Sequence, residues 1–251
     1  MFVREPRNRT GVGWFVVVYG LSDSGKTHLM GTAQDCEYTS PALLVDIDQG
    51  DLTLSGQDMD VAEVHGLSDL QAIYEYLNDD NDRYNSVLLD GLTSQEADVT
   101  MPAVLGSPGT VDLNTYEIPA LRDWNSSIFH TKRVLKAFRS LSKHPDPDKR
   151  LHVFATALER VDERRDIGVP SLPGSLGMGL GAYVDVLARL TVTDEGKEVR
   201  TLHSTSHVGD DGFKYLGKNR LRLLPKRMKN PTIERIMHYL VEEERRGKAP
   251  V

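Results

Sequence analysis

Gly20 and Gly25 bracket four residues and are followed at once by a lysine and a threonine, so that the stretch reads Gly20-Leu21-Ser22-Asp23-Ser24-Gly25-Lys26-Thr27. Glycines at those two places let the backbone curl tightly enough for successive N–H groups to face the oxygens of an anion. Lys26 puts a point charge at the end of the curl, and Thr27 offers a hydroxyl to a divalent cation. A helix starting there would add the positive end of its dipole. This is phosphate chemistry. The stretch matches the P-loop pattern G-x-x-x-x-G-K-[ST], in which the lysine serves the β- and γ-phosphates of a nucleoside triphosphate and the threonine serves Mg²⁺. From average composition, four fixed positions recur by chance in a chain this long with odds on the order of one per cent. The flanks agree with the motif. The apolar run Trp14–Tyr19 precedes it, as a buried strand should, and Thr27-His28-Leu29-Met30 can open a helix. ATP and Mg²⁺ are therefore the expected ligands, with Gly20 through Thr27 as the phosphate cradle.

Such a site needs carboxylates on neighbouring strands. Asp90 closes the run Ser86–Asp90 and is the expected second Mg²⁺ ligand beside Thr27. Hydrolysis also needs a group that orients or deprotonates water. Asp46 and Asp48 end the run Ala42–Asp48, where alternation sends both side chains to one face and Ile47 to the other. Asp48, further out, is the expected base. Thr156 ends the run Leu151–Thr156, where a polar side chain can sense the γ-phosphate. None of the eight histidines has metal-ligand spacing; His203 and His207 are four apart, in a strand-to-turn context expected to point them apart. Cys36 is the single cysteine, which excludes an intrachain disulfide and a Cys-based zinc site.

The elements that must position these groups alternate. Strands are expected at 14–19, 42–48, 86–90, 151–156, 184–191 and 199–204. Ser68-Asp69-Leu70-Gln71 has the form of a capping box opening a helix with Leu70, Ile73, Tyr74 and Leu77 on one face. A longer helix over about 120–142 carries Ile128, Val134, Leu135, Phe138 and Leu141, and a C-terminal helix over 231–246 starts at Pro231. Glycine and proline without periodicity mark long loops at 95–119 and 159–181. Residues 1–11 read as an arm, and residues 12–251 as one α/β domain with a mostly parallel sheet flanked by helices. No run approaches the ~20 apolar residues of a membrane span, and the first residues lack a signal peptide's apolar stretch, so a soluble, cytoplasmic protein is expected.

The 251-residue chain has a net charge of −7, unevenly spread. Residues 1–125 hold 6 Lys/Arg against 21 Asp/Glu, and residues 126–251 hold 24 against 16. Either one face meets a polyanion while the other repels it, or the two halves interleave in the fold and their charges mix.

The order of motifs resembles the RecA-type ATPase core: P-loop, Asp46-x-Asp48, Asp90-Gly91-Leu92-Thr93, Thr156-Ala157-Leu158-Glu159, a Gly/Pro loop, then Lys218-Asn219-Arg220. More closely it is similar to phage nucleotide-binding proteins of that type, which include short RecA-like single-strand annealing proteins. The resemblance spans roughly residues 12–235. It implies an ATPase that binds single-stranded DNA for recombination or annealing in the host-cell cytoplasm, assembles as a homo-oligomeric ring or filament, and works with a single-strand-binding protein. It also implies that loops 95–119 and 159–181 hold DNA, with Arg160, Arg164 and Arg165 as contacts, and that Lys218 and Arg220 reach the nucleotide of an adjacent subunit. The chain departs from the pattern in three places: Asp48 stands where RecA-type proteins have Glu, Leu158 where phage relatives have His, and Ala157 near the Gln of RecA. Coupling from nucleotide to DNA would then run through Thr156 or Glu159. Lys226-Arg227-Met228-Lys229 offers further phosphate contacts, and Phe213 and Tyr215 either stack on bases or pack in the core. A P-loop ATPase or small-molecule kinase without DNA binding, and a nucleotide-dependent assembly switch that does not hydrolyse, are the competing readings.

Overall fold

The computed structural model describes residues 12–48, 54, 58–106, 118–194 and 198–242. The expected arm over 1–11 and the end of the expected helix 231–246 lie outside the described residues. Strand β1 (Phe15–Gly20) is buried along its whole length, and its side chains divide by parity. Phe15, Val17 and Tyr19 enter one hydrophobic layer, Val16 and Val18 the other. A strand covered on both faces needs a continuous apolar run, which is how the sequence reads there.

Around it stand β2 (Ala42–Asp46), β3 (Asp60–Glu63), β4 (Ser86–Asp90), β5 (His152–Asp162), β6 (Ile167–Pro170), β7 (Val186–Asp194), β8 (Glu198–His203), β9 (His207–Val208), β10 (Lys214–Tyr215), β11 (Lys218–Asn219) and β12 (Arg227–Lys229). The central sheet runs β12-β8-β7-β1-β5-β4-β2-β3. From β3 through β7 every pairing is parallel, whereas β8 and β12 add antiparallel pairings at one edge. Helices α2 (Leu67–Glu75) and α5 (Leu121–Leu141) cover one face through Leu70, Leu135, Phe138 and Leu141. The opposite face is covered by α1 (Lys26–Gly31) and α7 (Ile233–Met237), through Leu29, Met30, Ile233, Ile236 and Met237. This is a mixed α/β fold with a mostly parallel sheet flanked by helices, as its alternation requires.

Three expectations are corrected. The segment 95–119 is not a loop where it is described: α3 (Leu92–Ser94), a π-helical turn over Gln95–Thr100 and α4 (Met101–Val104) continue one another, burying Val99, Thr100 and Met101. Residues 107–117 lie outside the described set. The segment 159–181 is not a loop either. β5 runs on to Asp162 and pairs antiparallel with β6, and α6 (Leu176–Gly179) follows. Gly168 sits in β6, where the Tyr215 ring occupies the space a side chain would need. The capping box at Ser68 is absent. Gly66 is the N-cap without a side-chain bond, and Asp69 instead accepts from the backbone N–H of His65 at 2.8 Å.

Strand order also resolves the charge question. The acidic β2, β3 and β4 lie on one side of the β1–β5 pair; on the other side β7 and β8 each hold one acidic and one basic residue, and only β12 is net basic. The halves nevertheless interleave at the centre of the sheet, where β1 of the first half stands between β5 and β7 of the second and β4 pairs with β5. None of the described helices is long and apolar enough to cross a membrane.

Candidate functional site

The loop after β1 stands at the carboxyl end of the sheet's middle strand, where open α/β sheets bind ligands. Two of its residues take left-handed backbone, Asp23 (φ 59°) and Gly25 (φ 84°), and Leu29 N–H donates to Gly25 O at 2.9 Å as the chain turns helical. Lys26 closes the loop: its ammonium donates to the carbonyls of Gly20 at 3.2 Å and Leu21 at 2.7 Å. Burial lowers the Lys26 pKa, and the carboxylates of Asp90, Asp48, Glu159 and Asp23 oppose that shift.

Asp90 is held by two hydroxyls. Thr27 donates to its Oδ2 at 2.7 Å, and Thr156, one strand nearer the P-loop, donates to its Oδ1. Thr156 also accepts from Gly91 N–H at 2.9 Å. Register dictates this arrangement: Val18 pairs with Thr156 and Leu89 with Ala155, so the ends of β1, β5 and β4 stand abreast. The Thr156 hydroxyl, expected to sense a γ-phosphate, is committed to Asp90 and Gly91. Burial raises the Asp90 carboxyl above its ordinary range. The two threonines pull it down, and Asp48 and Asp46 add to the rise.

Asp46 is buried beside Asp90 in register, while Asp48 is exposed just past the end of β2. The Asp48 carboxylate lies against Gly91, whose left-handed φ of 103° and missing side chain make room for it. The base expected at Asp48 and the metal ligand expected at Asp90 thus stand side by side above the P-loop.

These residues fit a nucleotide with Mg²⁺. The Ser24 side chain is 3% exposed and its hydroxyl has no hydrogen-bond partner, a buried polar atom that an anion in the loop would satisfy. The Thr27 hydroxyl and the Asp90 carboxylate, the latter raised by burial, are oxygen donors that would suit a hard divalent cation.

The remaining expected residues are placed elsewhere. Arg160, Arg164 and Arg165 sit on the β5–β6 hairpin, which rises past the P-loop because Gly20 pairs with Leu158. Arg160 donates to Gly174 O at 3.0 Å, and Arg165 pairs loosely with Asp162 at 3.9 Å. Lys218 and Arg220 lie at the amino end of the sheet, away from the P-loop of their own chain, since Lys218 pairs with Leu187 on β7. The Lys218 ammonium is bound by the carbonyls of Gly181 and Val184, and Arg220 pairs with Asp185 at 3.6 Å. Both therefore have structural partners within their own chain. Tyr215 and Phe213 pack against the core.

Three arrangements escape a sequence reading. Thr93 ties β4's exit to β5, accepting from Leu158 N–H and donating to Ser171 O, each at 2.9 Å. Arg200 of β8 packs its guanidinium on Gly25, with its Nε buried and unpartnered. Arg189 of β7 forms a bidentate pair with Glu159. The signal for Arg189 was a basic residue inside the apolar run 186–190, and Thr93 closed the motif that begins at Asp90; for Arg200 there was none.

The strand, loop, helix and carboxylates define an α/β P-loop protein. No protein-family profile matches the sequence, and no curated protein does. Among solved structures, the flagellar accessory protein FlaH from Methanocaldococcus jannaschii is similar, with 12% identity and a TM-score of 0.42 over 77% of this chain and 78% of that one. So loose a likeness says nothing about activity, which must be argued from the site itself.

Proposed function

We propose that this chain is a Mg²⁺-dependent ATPase of the RecA type that binds single-stranded DNA on its carboxyl-edge hairpin, in an assembly of several copies. The observation that supports it most is the clasp of Thr27 and Thr156 on Asp90, beside Lys26 and Asp48. Bound Mg²⁺ supplies charge neutralisation and orientation of the phosphates. The protein's part is to hold Asp90 ionised and fixed, to cradle phosphate oxygens on the Gly20–Thr27 backbone, and to let Asp48 take a proton from water. Because the hairpin with Arg160, Arg164 and Arg165 grows out of the strand that carries Thr156, a change at Asp90 has a route to it through one hydrogen bond and the backbone of β5. A homo-oligomeric ring or filament, a single-strand-binding partner, and a role in recombination or annealing in a phage-infected host belong to the same proposal and rest on the resemblance in sequence.

A second reading is a nucleotide-dependent assembly switch with slow turnover. The observation favouring it is Asp48 itself, exposed and one methylene shorter than the glutamate of RecA-type proteins. One experiment separates the readings: ATP hydrolysis and nucleotide binding measured with and without single-stranded DNA. Turnover that rises with DNA supports the first. Tight binding with neither turnover nor DNA affinity supports the second and ends the first.

A further inference from the structure

Two cross-strand rows line one face of β7, β8 and β12. Arg189, His203 and Arg227 are in register, and so are Thr191, Thr201 and Lys229. Leu190, Leu202 and Met228 between them point the other way, into the layer under α1 and α7. The face carrying the rows forms the floor of a cleft of about 640 Å³, bounded by Leu21–Ser24 of the P-loop and by the turn at 207–211.

The expectation that His203 and His207 point apart is wrong: their rings stack, with centroids 4.0 Å apart and planes 11° off parallel. The chain bends sharply at Ser204–Ser206, and β9 then pairs with β10, which swings His207 back over β8. Tyr215 lies against His207 at 5.7 Å, and the Arg189 guanidinium lies over Tyr215. Among the described residues the outer face of His203 has no ring against it, so His203 is the open end of an aromatic column. Its Nε2 is 3.1 Å from the Thr191 hydroxyl, and its Nδ1 is buried with no hydrogen-bond partner. Burial, helped by His207 and the neighbouring arginines, holds the His203 pKa down to about 4, so the column is uncharged near neutrality. Arg227 and Lys229 make no ion pair among the described residues. Leu21 and Val208, both exposed, add an apolar rim.

We propose that this cleft, which adjoins the P-loop at Leu21–Ser24, is a second nucleotide site that stacks a nucleobase on His203 and holds its phosphate on Arg227 and Lys229. A planar heteroaromatic extends the column. The two cations stand at the outer end of the same rows, which suits a phosphate joined to that base. At the opposite wall, Asp210 repels a phosphate, and Asp211 is already bound to Tyr215 and to the N–H of Phe213. The charge layout therefore sets which way the ligand lies. A free mononucleotide and one unit of a single strand present the same chemistry; only the strand form rests on the DNA-binding reading above.

The test saturates the P-loop with Mg²⁺ and a non-hydrolysable ATP analogue. A labelled deoxynucleoside monophosphate and a labelled oligo(dT) are then titrated in separate arms by fluorescence anisotropy. Binding of either that the His203→Ala variant weakens supports the site: the monophosphate arm identifies a free nucleotide, the oligonucleotide arm alone a strand. His203→Ala should weaken it roughly 5- to 150-fold, the span of one base-stacking contact, and His203→Phe should restore most of that. Lys229→Ala should reduce the salt slope by about one unit. Thermal shift with the analogue alone reads the P-loop separately. Lys26→Ala should remove that shift and leave the cleft ligand bound. The proposal is overturned if neither probe binds with the P-loop saturated, or if His203→Ala binds as the parent does. Should His203→Ala fail to fold, an unchanged affinity and salt slope in Lys229→Ala overturns it equally.

Discussion

Glu159 and Arg189 face one another in a bidentate ion pair, Nε to Oε2 at 2.7 Å and Nη2 to Oε1 at 3.0 Å. Their side chains are 3% and 11% exposed. The pair joins β5, three residues past Thr156, to β7 on the far side of the P-loop strand, so the nucleotide end of the sheet is stapled across β1. Breaking one partner of a buried pair strands a charge. Glu159→Gln or Arg189→Met should cost about 3–5 kcal/mol in denaturant unfolding, whereas the double variant Glu159→Leu/Arg189→Met should cost far less than the sum. Strict additivity of the two single costs would show that no such coupling exists.

Lys26→Ala should abolish the thermal stabilisation given by Mg²⁺ and ATP while the unliganded protein keeps its fold. An ATP affinity equal to the parent's in that variant removes the P-loop assignment.

The Asp90 clasp predicts an order of effects. Asp90→Asn should weaken Mg²⁺-dependent nucleotide binding most. Thr156→Val should do so in part, because the carboxylate loses one donor. Asp48→Asn should leave binding near normal and slow hydrolysis by about 10²-fold or more, as a lost general base does. Since burial raises Asp90 and metal binding requires it ionised, nucleotide affinity should grow as pH rises through its folded pKa, with proton release on binding. Isothermal calorimetry in buffers of different ionisation heat reads that proton; zero release speaks against Asp90 as the ligand.

Replacing Arg160, Arg164 and Arg165 together by Ala should remove roughly two or three units from the salt slope of single-stranded DNA binding, about one per phosphate contact. Nucleotide binding should survive, because none of the three touches the P-loop. An unchanged DNA affinity and slope would move the DNA contact off the hairpin.

Acid stability should depend on His152, which accepts from Trp14 N–H at 3.2 Å and whose pKa burial holds down to about 4. The folded state refuses a proton that the unfolded chain takes up near 6.5. Stability from this residue is therefore complete above about 6.5 and is lost as pH falls towards 4. His152→Asn, which keeps an acceptor, should flatten the melting temperature against pH over that window; an identical slope in the variant contradicts the assignment.

The site's centre was legible because its signals are local. A buried strand followed by two glycines, a lysine and a threonine needs no distant partner to be read, and Asp90 closes an apolar run in the same way. The hairpin was illegible for the opposite reason. Leu158 to Asp162 mixes charges that deny a strand by pattern, and only pairing with β6 makes it one. Pro170 looked like a breaker, yet it is the last residue of β6 and pairs with Glu159. The stacking of His203 on His207 likewise depends on β9 meeting β10, a contact that sequence spacing does not encode.

Lys26 is both the cation of the phosphate site and the staple of its own loop, since the ammonium ties back to the carbonyls where that loop begins. Anion entry is therefore an exchange of acceptors by one donor group, in a ring whose curvature is already set. Arginine at this position would retain the charge but spread it over a larger planar fork in place of the compact ammonium that fits inside the loop. The residue is thus specified twice, once by its ligand and once by the shape it maintains.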